Sequence, residues 1–179
     1  VGSTTLSTGS SLDLSAHTIN PEDVVVCTAS VTDSDGGSDS DTVSKDIANR
    51  APVLSAASID DTTPYADSTI TCSSTVTDDD GESITPTYEW SIGTTTVGTS
   101  ASLTLTPSIA SVDDVLTCTV SVSDGYGESD SSTATATVQN TDPTMSTVAI
   151  TPSSSVKVND ELTCTATGTD INDGTLSPL

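Results

Sequence analysis

Apolar and polar residues alternate one for one along several short stretches of this chain. Ile70, Cys72 and Val76 fall on one side of an extended segment. So do Tyr88, Trp90 and Ile92; Leu103 and Leu105; Leu116, Cys118, Val120 and Val122; and Ala134, Ala136 and Val138. A period of two belongs to a strand with one buried face, because successive side chains of a pleated chain point to opposite sides. Runs rich in Asp, Gly, Ser and Pro separate these stretches and supply the turns. The centre of the chain therefore reads as seven strands, at about 53–60, 68–77, 85–92, 94–98, 101–106, 114–123 and 130–139. No stretch sustains helical periodicity, so the expected class is all-β, with two sheets packed face to face.

The pattern repeats. "VVVCTASVTDSDGGSDSD" at 24–41 matches "VLTCTVSVSDGYGESDSS" at 115–132. Cys27 lies 91 residues before Cys118, and "NRAP" at 49–52 lies 91 before "NTDP" at 140–143. "VGSTTL" at 1–6 matches "IGTTTV" at 92–97, again 91 apart, and Cys72 lies 92 before Cys164. Self-similarity at a fixed period marks a repeat architecture. In this frame residues 49–139 form one complete repeat. Residues 1–48 are the second half of a preceding one, and 140–179 the first half of the next. Leu179 corresponds to Thr87 and Val1 to Ile92, so the equivalents of Tyr88, Glu89, Trp90 and Ser91 are missing between the halves. That arithmetic leads us to expect a window cut from a longer tandem array.

Composition sharpens the picture. Apolar residues make up 32% of the 179, with no Phe and one Trp, against 31 Ser and 35 Thr. A core drawn from Val, Ile, Leu, Ala and Thr is thin, and thin cores are commonly stapled. Four cysteines, none in a C-x-x-C pair, point to an oxidising, extracellular or cell-surface location, and with a single His they do not suit zinc. No leader or long apolar span stands in these residues. Membrane insertion by this segment is therefore not expected, and any export or anchoring signal is expected elsewhere.

The net charge of −23, from 26 acids against Lys45, Arg50 and Lys157, argues against nucleic acid or an anionic membrane as partner. Of the acids 21 are Asp and five are Glu. An Asp excess suits turns, and it also suits hard cations.

The order Cys72, Trp90, Cys118, the junctions "NRAP" and "NTDP", and the runs "TCSSTVTDDDG", "YEW" and "DDVLTCTVSVSDGYGES" resemble the tandem Ig-like or PKD-like modules of large bacterial or archaeal extracellular surface proteins. The resemblance implies Ig-like β-sandwich repeats of about 91 residues, in which Cys72 and Cys118 bridge the two sheets and Trp90 packs on the bridge. The Cys-to-Trp spacing of 18 is longer than in antibody-type domains, and Leu116 stands where those carry a Tyr. Closing a loop of about 46 residues, such a bridge contributes roughly 4 kcal/mol in the chain-entropy account. The resemblance implies a spacer, stalk or adhesive role and no catalysis.

The acids concentrate in "TDSDGGSDSD" (32–41), "TDDDGES" (77–83), "SDGYGESDS" (123–131) and "TDINDG" (169–174). In a sandwich the loops after the second and sixth strands share an end with the incoming linker. Asp78, Asp79 and Asp80 are thus expected near Asp124, Glu128 and Asn49, and Asp170 and Asp173 near Asn140 and Asp142. Oxygens converging from three segments suit calcium, which takes six to eight of them. Turn formation alone accounts for such motifs too, and the spacing is not that of an EF-hand.

His17, equivalent to Ser108, reads as a surface residue. With one His, no nucleophile–base set can be assembled, and the carboxylate pairs lack the aromatic walls of a sugar cleft, so an enzyme is not expected. "TLTLT" and "STATATV" read as ordinary strands. The chain is expected to be a structural protein: Ig-like modules in a rod or filament, stiffened by Ca2+ at domain junctions. Its partner is expected to be itself, head to tail, either as docked copies or as a continuous array. Cys27 and Cys164, unable to meet around the middle repeat, are expected to pair with neighbouring copies. The alternative is a cell-surface adhesin module binding a glycan or protein ligand, with Tyr65 and Tyr126 as exposed aromatic candidates.

Overall fold

A computed structural model describes residues 4–177, so Val1 and Leu179, the end points of the repeat frame, lie outside the described residues. The protein is all-β. Among the described residues the strands are β1 (Val24–Thr32), β2 (Ser38–Asp46), β3 (Val53–Leu54), β4 (Ser58–Ile59), β5 (Thr69–Ser73), β6 (Val76–Thr77), β7 (Thr87–Ile92), β8 (Thr95–Gly98), β9 (Ser102–Thr104), β10 (Val115–Ser123), β11 (Ser129–Thr137), β12 (Thr144–Thr151), β13 (Thr163–Asp170) and β14 (Gly174–Leu176). Among the described residues a single 3-10 turn, Leu14–Ala16, is capped by the Asp13 carboxylate, which accepts from the Ser15 N–H at 3.0 Å. No helix among the described residues is long and apolar enough to cross a membrane.

The chain divides into two compact units. The first takes in the chain up to Val53 with the loops Thr77–Ile84 and Ser123–Asp130; the second takes in Leu54–Val76, Thr85–Val122 and the chain from Ser131 onward.

In the first unit β1 and β2 form a hairpin running from Val24 opposite Asp46 to Thr32 opposite Ser38. Asp33 turns it by accepting the N–H groups of Asp35 and Gly37 on Oδ1, at 3.0 and 2.7 Å. Gly36 sits at φ +88°, a conformation a side chain would strain. Of the hairpin's valines Val24, Val26, Val31 and Val43 are exposed and Val25 is half-buried.

In the second unit one sheet has the order β4-β5-β9 and another β11-β10-β7-β8. Both sheets feed a single core of Ile59, Ile70, Cys72, Trp90, Leu103, Leu105, Leu116, Cys118, Val120, Ala136 and Val138. Most of the alternating positions read from the sequence are buried; Tyr88, Ile92 and Ala134 are half-buried against the core, Val76 on β6 is half-buried outside it, and Trp90 has no exposed surface. Its indole N–H donates to the Ser100 carbonyl at 2.9 Å, as a buried Trp requires. Cys72 on β5 and Cys118 on β10 form a disulfide between the two sheets, and Trp90 stands opposite Cys118 in register. A separate sheet, β12-β13-β14, closes the chain.

The expected strands at 53–60 and 68–77 are each broken in two. Serines explain it: Ser74 donates its hydroxyl to the Ser55 carbonyl at 2.7 Å, and the Thr75 N–H donates to the Ser55 hydroxyl at 2.9 Å. Side-chain bonds to the backbone compete with the ladder and end it locally.

Candidate metal centre

The acidic loops fold as turns around one carboxylate each, and the same bonds recur one repeat apart. Asp124 accepts the N–H groups of Tyr126 and Glu128 on Oδ1, both at 2.9 Å. Asp33, 91 residues earlier, treats Asp35 and Gly37 in the same way. Asp78 accepts the Asp80 N–H on Oδ1 at 2.7 Å, as Asp170 accepts that of Asn172 at 2.7 Å. Asp80 in turn accepts the Arg50 N–H at 2.6 Å, and Asn172 accepts the Thr141 N–H at 2.9 Å.

Within the first unit the loops 77–84 and 123–130 and the segment at Asn49 converge. Asn49 donates its side-chain amide to Oδ2 of Asp124 at 2.8 Å. Asp78, Glu82 and Asp124 each bring a carboxylate oxygen to within 4.8 Å of the others, and all three are half-buried. Their turn bonds use one oxygen of Asp78 and leave the other. Asp78 Oδ2, Glu82 Oε2 and Asn49 Oδ1 are buried atoms with no hydrogen-bond partner. Three unpaired oxygen acceptors and a nearby carboxylate form a donor set that a hard cation fits, with water completing the shell.

The electrostatics reflect this crowding. Burial first, then the charges of Asp78, Asp124 and Asp80, raise the Glu82 pKa above its usual 4.5. Burial acts to raise Asp124 as well. There the hydrogen bonds from Asn49 and from the backbone of Tyr126, Glu128 and Gly127 outweigh it, and its pKa lies below the usual 3.8. The Tyr126 hydroxyl is raised by burial and then by the charges of Glu82, Glu22, Asp23 and Asp124.

Of the residues expected at this end, the structure brings together Asn49, Asp78 and Asp124. Asp80 instead holds Arg50, by the backbone bond and by an ion pair at 3.1 Å. Asp79 is exposed and lines a shallow groove with Leu14, Ile19 and Ile47. Glu128 is exposed and contributes backbone only, its N–H to the Asp124 carboxylate and its carbonyl to the Asp124 N–H at 3.0 Å. Glu82 was not singled out from the sequence, although it stands in the quoted run "TDDDGES". Its signal was its type: it is one of five Glu among 26 acids.

In the second acidic loop Asp170 is buried and also accepts the Asp173 N–H at 3.1 Å. Asn140, Asp142 and Asp173 are exposed, and no comparable carboxylate group forms there among the described residues. Gly174 stands at the position of Glu82, 92 residues on, so the third carboxylate is lacking. Cys27 and Cys164 are free thiols, both exposed. Tyr65 is exposed, whereas Tyr126 is half-buried.

Comparison with protein families, with curated proteins and with solved structures found no match to this chain.

Proposed function

We propose that this chain is a structural segment of an extracellular or cell-surface rod or filament. It is made of Ig-like β-sandwich repeats of about 91 residues. Copies follow one another head to tail, and Ca2+ stiffens the junction where one half-repeat enters the next. The observation that carries the reading is the set of unpaired buried oxygens on Asn49, Asp78 and Glu82, next to Asp124, at the point where the chain passes from 1–48 into the repeat 49–139. A cation there ties that linker segment to the loops after the second and sixth predicted strands. The inter-sheet disulfide, the Trp90 core and the hydroxyl-rich composition support an oxidising environment and a spacer more than a binding surface.

Calcium titration by calorimetry, with melting curves in calcium and in chelator, tests the reading. Saturable binding at one site with a raised melting temperature is expected. Identical melting in calcium and chelator, with no heat of binding, overturns the cation and leaves the acids as turn formers.

A further inference from the structure

The apolar pattern that is buried in the centre of the chain recurs uncovered on both sides of it. On β1, Cys27 and Val31 stand 91 residues before Cys118 and Val122. Val122 is 4% exposed and Val31 71%. Cys118 is fully buried, whereas Cys27 is exposed. On β12 and β13, Ile150 faces Cys164 in register, as Ile59 faces Cys72 between β4 and β5. Ile59 is 8% exposed and Ile150 53%; Ile70 is fully buried, while Leu162, 92 residues on, is 50% exposed. In the centre these two faces cover each other, cysteine to cysteine. Their counterparts keep both cysteines and most of the apolar positions, with Ala29 for Val120 and Lys45 for Ala136, and among the described residues they are largely without that cover. Each thus corresponds to one half of the buried central pair, and exposed apolar surface of this kind drives association.

We propose that the β1–β2 face of one copy packs on the β12–β13 face of a second copy of this chain, forming a second, smaller core without a counterpart of Trp90 and locked by a Cys27–Cys164 disulfide. The proposal deepens the head-to-tail reading and rests on it for the identity of the partner. The bond forms between the two Sγ atoms. Two thiol protons and two electrons pass to a small disulfide oxidant such as oxidised glutathione, which leaves as two thiols. By the pattern of Asn49 and Asp124, Asn140 of one copy then lies beside Asp33 of the other. Lys45 occupies the position of Ala136 on the edge strand of this face. In the joined face its stem is expected to lie along the apolar surface, with the ammonium at the rim. Because each copy carries −23, association needs salt to screen the repulsion.

The test mixes two variants of the 179-residue chain, C27S and C164S, in oxidised glutathione at moderate salt. Cross-linked dimer is expected in the mixture and in neither variant alone, with the Cys27–Cys164 peptide found by mass spectrometry. The unmodified chain is expected to give a ladder of oligomers that reduction collapses. Adding Val31→Asp to the C164S variant should abolish the dimer, while Ser30→Asp, on the other side of β1, should leave it; retention of the Cys72–Cys118 bridge controls for folding. Dimers from either variant alone, an intrachain Cys27–Cys164 bridge, a mixture in which both thiols stay uncross-linked, or a dimer indifferent to Val31→Asp each overturns the junction. Calcium-dependent filaments with both thiols free would remove this junction and leave the structural-segment reading standing. Cross-linking as expected with no calcium binding would support the junction and remove the cation.

Discussion

Asn49 donates its side-chain amide to Asp124 across 75 residues of sequence, at 2.8 Å. The bond joins the stretch that follows the first hairpin to the loop that follows β10, and it helps keep the Asp124 carboxylate ionised. It also holds Asn49 Oδ1 buried without a partner. Asn49→Ala removes the donor and the spare acceptor together. The melting temperature without calcium is expected to fall by a few degrees, and calcium affinity to fall as well. Asn49→Asp adds a charge to an acidic group, so it should destabilise the calcium-free protein more and be stabilised more by calcium. Melting curves of both variants with and without calcium check this; Asn49→Asp behaving like Asn49→Ala in both conditions would refute it.

Glu82 should show opposite effects on stability and binding. Its pKa is raised, first by burial and then by Asp78, Asp124 and Asp80, so its charged form is the disfavoured one in the folded state. A carboxylate raised in this way stabilises the fold below its unfolded value near 4.5, and that contribution is lost as pH rises through the higher folded value. Glu82→Gln keeps the shape and removes the charge. At neutral pH without calcium it should raise the melting temperature, and it should weaken calcium binding. Asp124 runs the other way: with its pKa lowered, it contributes stability above 3.8 that is lost as pH falls through its folded value. The Glu82→Gln advantage should therefore shrink as pH is lowered through the mid-acid range, measured as the difference in melting temperature from the unmodified chain. An advantage independent of pH would contradict the charge crowding.

Asp80 should matter far more than its ion pair. Arg50 is largely exposed, and an exposed pair contributes little. What recurs one repeat on is the backbone bond, from Thr141 N–H to Asn172, where no ion pair is possible. Arg50→Ala keeps the backbone donor and should change stability very little. Asp80→Ala removes the acceptor of that donor and should lower the melting temperature clearly, and Asp80→Asn should restore most of it. If Arg50→Ala and Asp80→Ala prove equivalent, the ion pair is the dominant contact after all.

The strands and their inward faces were legible because burial on one face forces a period of two, and Trp90, Cys118 and Val120 carry that period without interruption. The Cys72–Cys118 pairing followed from the resemblance, and the structure forms it. The breaks at Ser55 and Ser74 were not legible. Each hydroxyl reaches the other segment's backbone only once β3 to β6 are in place. The loops that converge on Asn49 could be named, but not the side chains that face inward. In "DDDGE" the turn bond to Asp78 and the capture of Asp80 by Arg50 decide that Glu82, and not Asp79 or Asp80, joins Asp124. That choice depends on local backbone bonds that the acid pattern does not encode.

The disulfide staples a core with few large side chains. Reduction, or the Cys72→Ser/Cys118→Ser pair, is expected to cost about 2–5 kcal/mol. Trp90→Phe keeps most of the volume but leaves the Ser100 carbonyl without its donor, for a loss of about 1–3 kcal/mol. Denaturant unfolding followed by circular dichroism measures both. A reduced protein as stable as the oxidised one would mean that the core alone suffices.

Gly98 tests the packing around that core most directly. It pairs with Trp90 across β7 and β8, beside the irregularity between Trp90 and Ser91. A Cβ built on Gly98 would stand 2.9 Å from Leu103 Cδ1 and 3.6 Å from Trp90 Cδ1. Leu103 is 6% exposed and packed in the core, so it can yield only by displacing its neighbours. Overpacking of this kind costs about 1–3 kcal/mol, and Gly98→Ala is expected to fall in that range. Trp90 is the single Trp of the chain, so its fluorescence reports the disturbance at the site itself. Leu103→Val shortens the side chain that the new methyl meets. In the double variant the two changes should therefore cost less than their sum, as expected for residues in contact. Strict additivity, or a neutral Gly98→Ala, would show that the space beside Trp90 is looser than the 2.9 Å approach indicates.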